Sequence, residues 1–165
     1  MKKWEAEPEK SKSKDQQKFL LDFFTSFKKG EFSEQLPEVE QIDLTKLVIL
    51  IAEDDPINYM YLEIILKKIV KRIDHAINGQ EAVDLASKTP YDLVLMDLDM
   101  PIMNGIIATQ KIKQRFPDLS IIVQTAYTAQ NDQDKAFEAG CDDFIKKPFK
   151  KGDLLEMINK LMISK

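Results

Sequence analysis

The chain has one cysteine, Cys141, and one histidine, His75, in 165 residues. A lone cysteine excludes an internal disulfide and a cysteine-rich metal site. A lone histidine excludes any centre built from two imidazoles. A Ser-His-Asp triad would have to be centred on His75, and no GxSxG-type elbow accompanies it. No apolar run approaches the ~20 residues of a membrane span. No basic-then-apolar leader opens the sequence, so a secretory signal is not expected. Positive charge is not in excess either: 24 Lys and Arg face 28 Asp and Glu, a net charge of −4. The electrostatic footprint of a nucleic-acid binder is therefore missing. With 44% apolar and 32% charged residues, the expectation is a cytoplasmic-type soluble protein, one ordinary domain with a shorter extension.

Organisation along the chain falls into two parts. Residues 1–14 are charged and nearly free of aliphatic side chains, as in a disordered tail. In 15–29, Phe19, Leu20, Phe23, Phe24 and Phe27 fall at helical spacing, and Gly30 is placed to end that helix. Residues 31–46 carry five acids and a proline and read as a linker. The expected division is thus 1–46 as tail, amphipathic helix and linker, and 47–165 as the folded domain.

From residue 47 onward a βα alternation runs to the end. The apolar run 47–52 suits a strand buried on both faces of a parallel sheet. Pro56 opens a helical stretch whose apolar residues Ile57, Met60, Ile64, Ile65 and Ile69 recur at helical spacing. Residues 72–77, 91–97, 120–125 and 143–146 are the further strands. Helices are expected at 79–87, 104–116 (with Asn104 as N-cap), 129–139 and 150–162. Five strands alternating with five helices imply an α/β fold: a parallel sheet with right-handed crossovers and helices on both faces. In such folds the working residues sit at the carboxyl ends of the strands.

Those ends carry a definite set. The first strand ends in Glu53-Asp54-Asp55 and the third in Asp97, with Asp99 two residues on. The fourth ends at Thr125 and the fifth at Lys147-Pro148. If strands one and three are neighbours, their carboxylates converge, raise one another's pKa values and leave an empty cluster under repulsion. A divalent cation relieves that, and oxygen-only ligands favour Mg²⁺ over zinc. Acids at strand ends are common loop residues, and a lysine before proline is weak evidence alone; the joint pattern is the signal.

With those residues in place, 47–163 resembles the receiver domain of two-component response regulators, especially those carried by hybrid histidine kinases. The matching segments are ILIAEDDPIN (49–58), NGQEAVDL (78–85), YDLVLMDLDMPIMNG (91–105), IIVQTAYTA (121–129) and AGCDDFIKKPF (139–149). The resemblance implies the flavodoxin-like strand order 2-1-3-4-5. It implies a phosphorelay role, with a phosphoryl group passing from a phosphohistidine to Asp97, and a signalling protein that is not a turnover enzyme. It further implies Mg²⁺ held by Glu53, Asp54, Asp97 and the Asp99 main-chain carbonyl. Lys147 would pair with Asp97, and Thr125 and Phe144 would act as the switch. The partners implied are a histidine kinase or histidine phosphotransfer protein, and onward transfer to such a partner is an expected output.

Phe144 stands where a tyrosine is frequent in the family, and Asn104 where aspartate is usual. Asp99 and Tyr127 fall at variable positions beside the route of water and are expected to set the phosphate's lifetime. His75 is expected on the second strand, packing away from the site, and Cys141 in a buried turn. No output domain is expected after the last helix, so both a free-standing regulator and a piece of a hybrid kinase fit. The 19–27 helix, too apolar for water, is expected to self-associate, dock on the receiver or contact a kinase. Three rival classes are disfavoured. A haloacid-dehalogenase-type phosphatase keeps its Asp-x-Asp after the first strand, not the third. A flavodoxin-like cofactor binder would meet repulsion between phosphate and Glu53-Asp54-Asp55. A degenerate receiver acting only as an interaction module would have lost one of Asp54, Asp97, Thr125 or Lys147.

Overall fold

The computed structural model describes residues 42–126 and 130–164. The expected tail, the Phe19–Phe27 helix, most of the linker and Tyr127 lie outside the described residues. Within them, β1 (Val48–Ala52), β2 (Arg72–Ala76), β3 (Leu93–Asp97), β4 (Ser120–Thr125) and β5 (Asp143–Lys146) form one sheet. All pairs are parallel and the order is β2-β1-β3-β4-β5, as expected. The helices are α1 (Pro56–Leu66), α2 (Gly79–Ala86), α3 (Gly105–Arg115), α4 (Gln130–Glu138) and α5 (Lys151–Ile163).

Why the sheet forms is visible in its alternation. Leu50, Ala52, Val94, Met96, Ile121 and Val123 face one layer and pack with Ala82, Ala108, Ile112 and Ala136 from α2, α3 and α4. Their neighbours Ile49, Ile51, Leu93, Leu95 and Ile122 face the other, against Leu62, Ile65 and Leu66 of α1 and Leu154 and Ile158 of α5. Side chains alternate faces along a strand, so a run apolar at every position needs cover on both sides. Each fully buried Leu or Ile contributes about 1.5–3 kcal/mol, and this fixes strand register firmly.

The sheet decides one point that spacing leaves open, and one expectation is corrected. The face of α1 against the sheet is Leu62, Ile65 and Leu66, whereas Ile57 (69%), Met60 (52%) and Ile64 (69%) are exposed. The helix PINYMYLEIIL carries apolar stripes on two sides, so periodicity cannot choose between them; packing against β1 and β3 does. Residues 44–46, expected in the linker, form a turn of 3-10 helix that Asp43 caps, and Leu44 packs against the second core layer. Asn104 does cap α3, accepting from the Ile107 N–H at 2.9 Å. Among the described residues no helix is long and apolar enough to cross a membrane.

Candidate functional site

The parallel order sets the carboxyl ends of β1 and β3 side by side, since Ala52 pairs with Met96. The three acids that follow β1 then go to three different uses. Asp55 faces the helix: its carboxylate accepts from the Ile57 and Asn58 N–H groups at 2.8 and 3.0 Å and caps α1. It is a structural acid. Glu53 turns inward, its side chain 1% exposed. Asp54 stays at the exposed lip. Asp97, the last residue of β3, is buried beneath it.

Lys147 closes this cluster. Its Nζ donates to Glu53 Oε2 at 2.6 Å and to Asp97 Oδ1 at 2.9 Å. The lysine is brought there by the loop after β5, where the Lys147 N–H donates to the Thr125 carbonyl at 2.8 Å. The second oxygen of Glu53 accepts from Asn58 Nδ2 at 3.1 Å. Burial pushes the Glu53 carboxyl up from its ordinary value, more strongly than the Lys147 hydrogen bond holds it down, and Asp97 adds repulsion. For Lys147 burial works against the charge, but the hydrogen bonds and attraction of Asp97 and Glu53 win and hold its pKa up. The lysine stays an ammonium.

Glu53, Asp54 and Asp97 each offer one carboxylate oxygen within 4.8 Å of the others. Three carboxylates against one ammonium leave an excess of negative charge in a half-open pocket, which a divalent cation would neutralise. Hard oxygen donors with no thiolate and no imidazole suit Mg²⁺, so these residues fit the metal that the fold implies. Asp99 has an exposed side chain and lies outside this trio. Thr125 is buried at the end of β4, 3% exposed. Phe144 is half-buried on β5 and meets Phe137 edge-on, 5.7 Å between centroids.

One placement differs from expectation. His75 is not remote: its Nε2–H donates to the Glu53 main-chain carbonyl at 2.8 Å while the ring stacks on Tyr59 at 3.6 Å. The β1–β2 register, Ile51 opposite His75, puts it there. Asn58 is the functional neighbour that sequence reasoning passed over. The available signal was its place one turn into the helix that Asp55 and Pro56 start. Behind the site, Gly105 is required by close approach: a Cβ there would lie 2.0 Å from the Asp97 carbonyl oxygen. A groove of about 700 Å³ also opens beside Lys147, lined by Ile57, Tyr61, Leu62, Pro148 and Phe149 among others.

The sheet order, with an acid trio and a lysine at its carboxyl edge, defines a flavodoxin-like α/β domain with a charged site suited to a divalent cation. Residues 49–159 match the family model of the response regulator receiver domain, and the chain belongs to that family. It is 35% identical over 134 residues to two-component response regulator 24 of Arabidopsis thaliana, covering 81% of this chain and 94% of that protein. It is 34% identical over 133 residues to hybrid signal transduction histidine kinase L of Dictyostelium discoideum, covering 74% of this chain but 8% of the kinase. Among solved structures, the receiver domain of sensor histidine kinase PA1611 from Pseudomonas aeruginosa superposes with a TM-score of 0.66 at 31% identity. That match covers 71% of this chain and 98% of the other, which holds a magnesium ion in its active-site cleft. The protein is a receiver domain of the kind found in response regulators and hybrid kinases, a module of phosphorelay signalling.

Proposed function

We propose that Asp97 is the phosphoacceptor and that a phosphohistidine on a partner protein is the donor. The observation that carries this reading is the Lys147 ammonium bridging Asp97 and the buried Glu53 at 2.9 and 2.6 Å, beneath an opening lipped by Asp54. A carboxylate oxygen of Asp97 attacks phosphorus, an O–P bond forms, the P–N bond to the donor imidazole breaks, and its electron pair stays on the imidazole nitrogen. Lys147 keeps the acceptor oriented and then balances charge on the new acyl phosphate. Mg²⁺, when bound, would be held by Glu53, Asp54 and Asp97, with the Asp99 main-chain carbonyl as a further ligand, and would supply charge neutralisation to the phosphoryl oxygens. Lys147 and Asn58 each hydrogen-bond one oxygen of Glu53 and hold that side chain in place.

The Thr125 hydroxyl then bonds the phosphoryl group, and Phe144, already half-buried against Phe137, moves inward to report it. Phosphorylation need favour that second state by only a few kcal/mol to shift its population. Asp99 and Tyr127 set the lifetime of the acyl phosphate. The donor is a histidine kinase or a histidine phosphotransfer protein, the setting cytoplasmic, and nucleic acid is not a ligand. The receiver includes Leu44, which packs on its second core layer, and the Phe19–Phe27 stretch of the N-terminal extension serves as a surface for self-association or docking.

The test is label transfer from a phosphorylated histidine phosphotransfer protein in Mg²⁺. Label should move to the wild-type chain, and neither to Asp97→Asn nor in the presence of a chelator. Label on Asp97→Asn would move the acceptor elsewhere.

A further inference from the structure

The seven residues between β3 and α3, 98–104, leave from Asp97 and return to it, because the Gly105 N–H donates to the Leu98 carbonyl at 3.0 Å. Within this loop the Met103 N–H donates to the Pro101 carbonyl at 2.7 Å, closing a three-residue turn around Ile102. Ile102 has φ of +68°, the one positive φ outside glycine among the described residues. A three-residue turn of this hand is rare and strained, and a β-branched side chain in the left-handed region is an outlier.

The turn itself is explained by what it secures. Met103 packs on the first core layer, and its carbonyl accepts from the Gly79 N–H at 3.0 Å, tying the loop to the start of α2. A glycine at 102 would permit all of this without the strain. The isoleucine side chain gains nothing from the fold in return, being 84% exposed. Strain without internal compensation, close to a reacting group, points to function. Ile102 lies three positions before Gly105, so its Cα lies within about 11 Å of the residue packed on the Asp97 carbonyl. Ile57, 69% exposed, stands in the first turn of α1, the helix that follows the neighbouring strand β1.

We propose that Ile102 is a specificity-determining residue for phosphoryl transfer, an apolar knob that seats on the protein surface around the donor histidine. The role rests on the histidine-donor reading above. It distinguishes donors by size: a donor protein has a surface for Ile102 to meet, and a small phosphoramidate does not.

The test uses the full chain as wild type, Ile102→Gly and Ile102→Leu, with two donors in Mg²⁺. One donor is a panel of phosphorylated histidine phosphotransfer proteins, and the other is phosphoramidate. In Ile102→Gly, transfer from the protein donor should slow about tenfold, with the phosphoramidate rate held within about twofold. Ile102→Leu should recover most of the protein-donor rate, and the melting temperature of Ile102→Gly should not fall below wild type. An unchanged protein-donor rate in Ile102→Gly overturns the role. So does a parallel slowing with both donors, which would mean that the turn acts on Asp97 instead. A change confined to self-association would assign Ile102 to a second copy and overturn it too. Wild-type protein that reacts with phosphoramidate but with no donor protein overturns the histidine-protein donor itself, and Ile102 falls with it. Reaction with neither donor would overturn the acceptor reading first.

Discussion

Replacing Lys147 with methionine removes the one cation that sits between two buried carboxylates, at 2.6 Å from Glu53 and 2.9 Å from Asp97. Breaking a fully buried pair by deleting one partner costs about 3–5 kcal/mol. Here two features reduce that. Asp97 and Lys147 retain some contact with solvent, their side chains being 10% and 17% exposed. Glu53, at 1%, can instead take up a proton. With an ordinary pKa of 4.5, holding it protonated at pH 7 costs about 3.4 kcal/mol, which caps its share of the loss. The expected destabilisation in EDTA at pH 7 is about 2–3 kcal/mol, or roughly 10 °C in melting temperature for a domain of this size.

The pH dependence has a definite sign. Burial already raises the folded pKa of Glu53, and loss of the lysine raises it further, so the native state holds a proton that the unfolded chain has released. The gap between variant and wild type should therefore be small near pH 4.5 and widen as pH rises through neutrality. Mg²⁺ should narrow it again, because the carboxylates regain a cation. Urea denaturation at several pH values, with EDTA or with Mg²⁺, reads all three effects. A variant as stable as wild type in EDTA, or a gap that ignores pH, would refute the electrostatic account of the site.

Other expectations concern the frame around the site. Gly105→Ala would drive a Cβ into the Asp97 carbonyl at 2.0 Å, and overpacking against backbone should cost about 3 kcal/mol or more, seen as a large drop in the denaturation midpoint. Asp55→Ala removes the α1 cap and should cost about 1 kcal/mol while leaving Mg²⁺ affinity unaltered by titration calorimetry; a lost metal site would mean that Asp55 is a ligand and not only a cap. Burial, with Asp142 and Asp143 nearby, pushes the Cys141 thiol up to about 12 from 9.0. The stability this brings is fully present below pH 9 and is lost as pH rises toward 12, and Cys141→Ser should flatten that alkaline loss in denaturation curves. At pH 8 the native thiol should resist iodoacetamide and react once the chain is unfolded.

How far the sequence could be read follows from where each structural decision is made. The strands β1, β3 and β4 are legible because continuous apolar runs have one good solution, burial on both faces. Once those strands are placed, Glu53, Asp54, Asp97 and Thr125 fall at their carboxyl ends, and Lys147 follows the shorter strand β5. The face of α1 was not legible, because PINYMYLEIIL offers two apolar stripes and only the sheet selects Leu62, Ile65 and Leu66. The contact of His75 with the Glu53 carbonyl depends on the register of β2 against β1, a long-range choice with no local signature. The split of the acidic run into a cap, a buried partner of Lys147 and an exposed acid is decided by the direction of the chain entering α1. Ile102 carries no sequence mark of its strained turn, since isoleucine is among the residues least expected at positive φ.

The most direct test of the central claim is the intact mass of the protein after incubation with Mg²⁺ and acetyl phosphate, beside Asp97→Asn and a chelator control. A gain of one phosphoryl group in the wild type alone, absent with chelator, is the predicted result. If Asp97→Asn gains the same mass, or the wild type gains none from acetyl phosphate or from a phosphorylated histidine donor, Asp97 is not the phosphoacceptor and the account is contradicted.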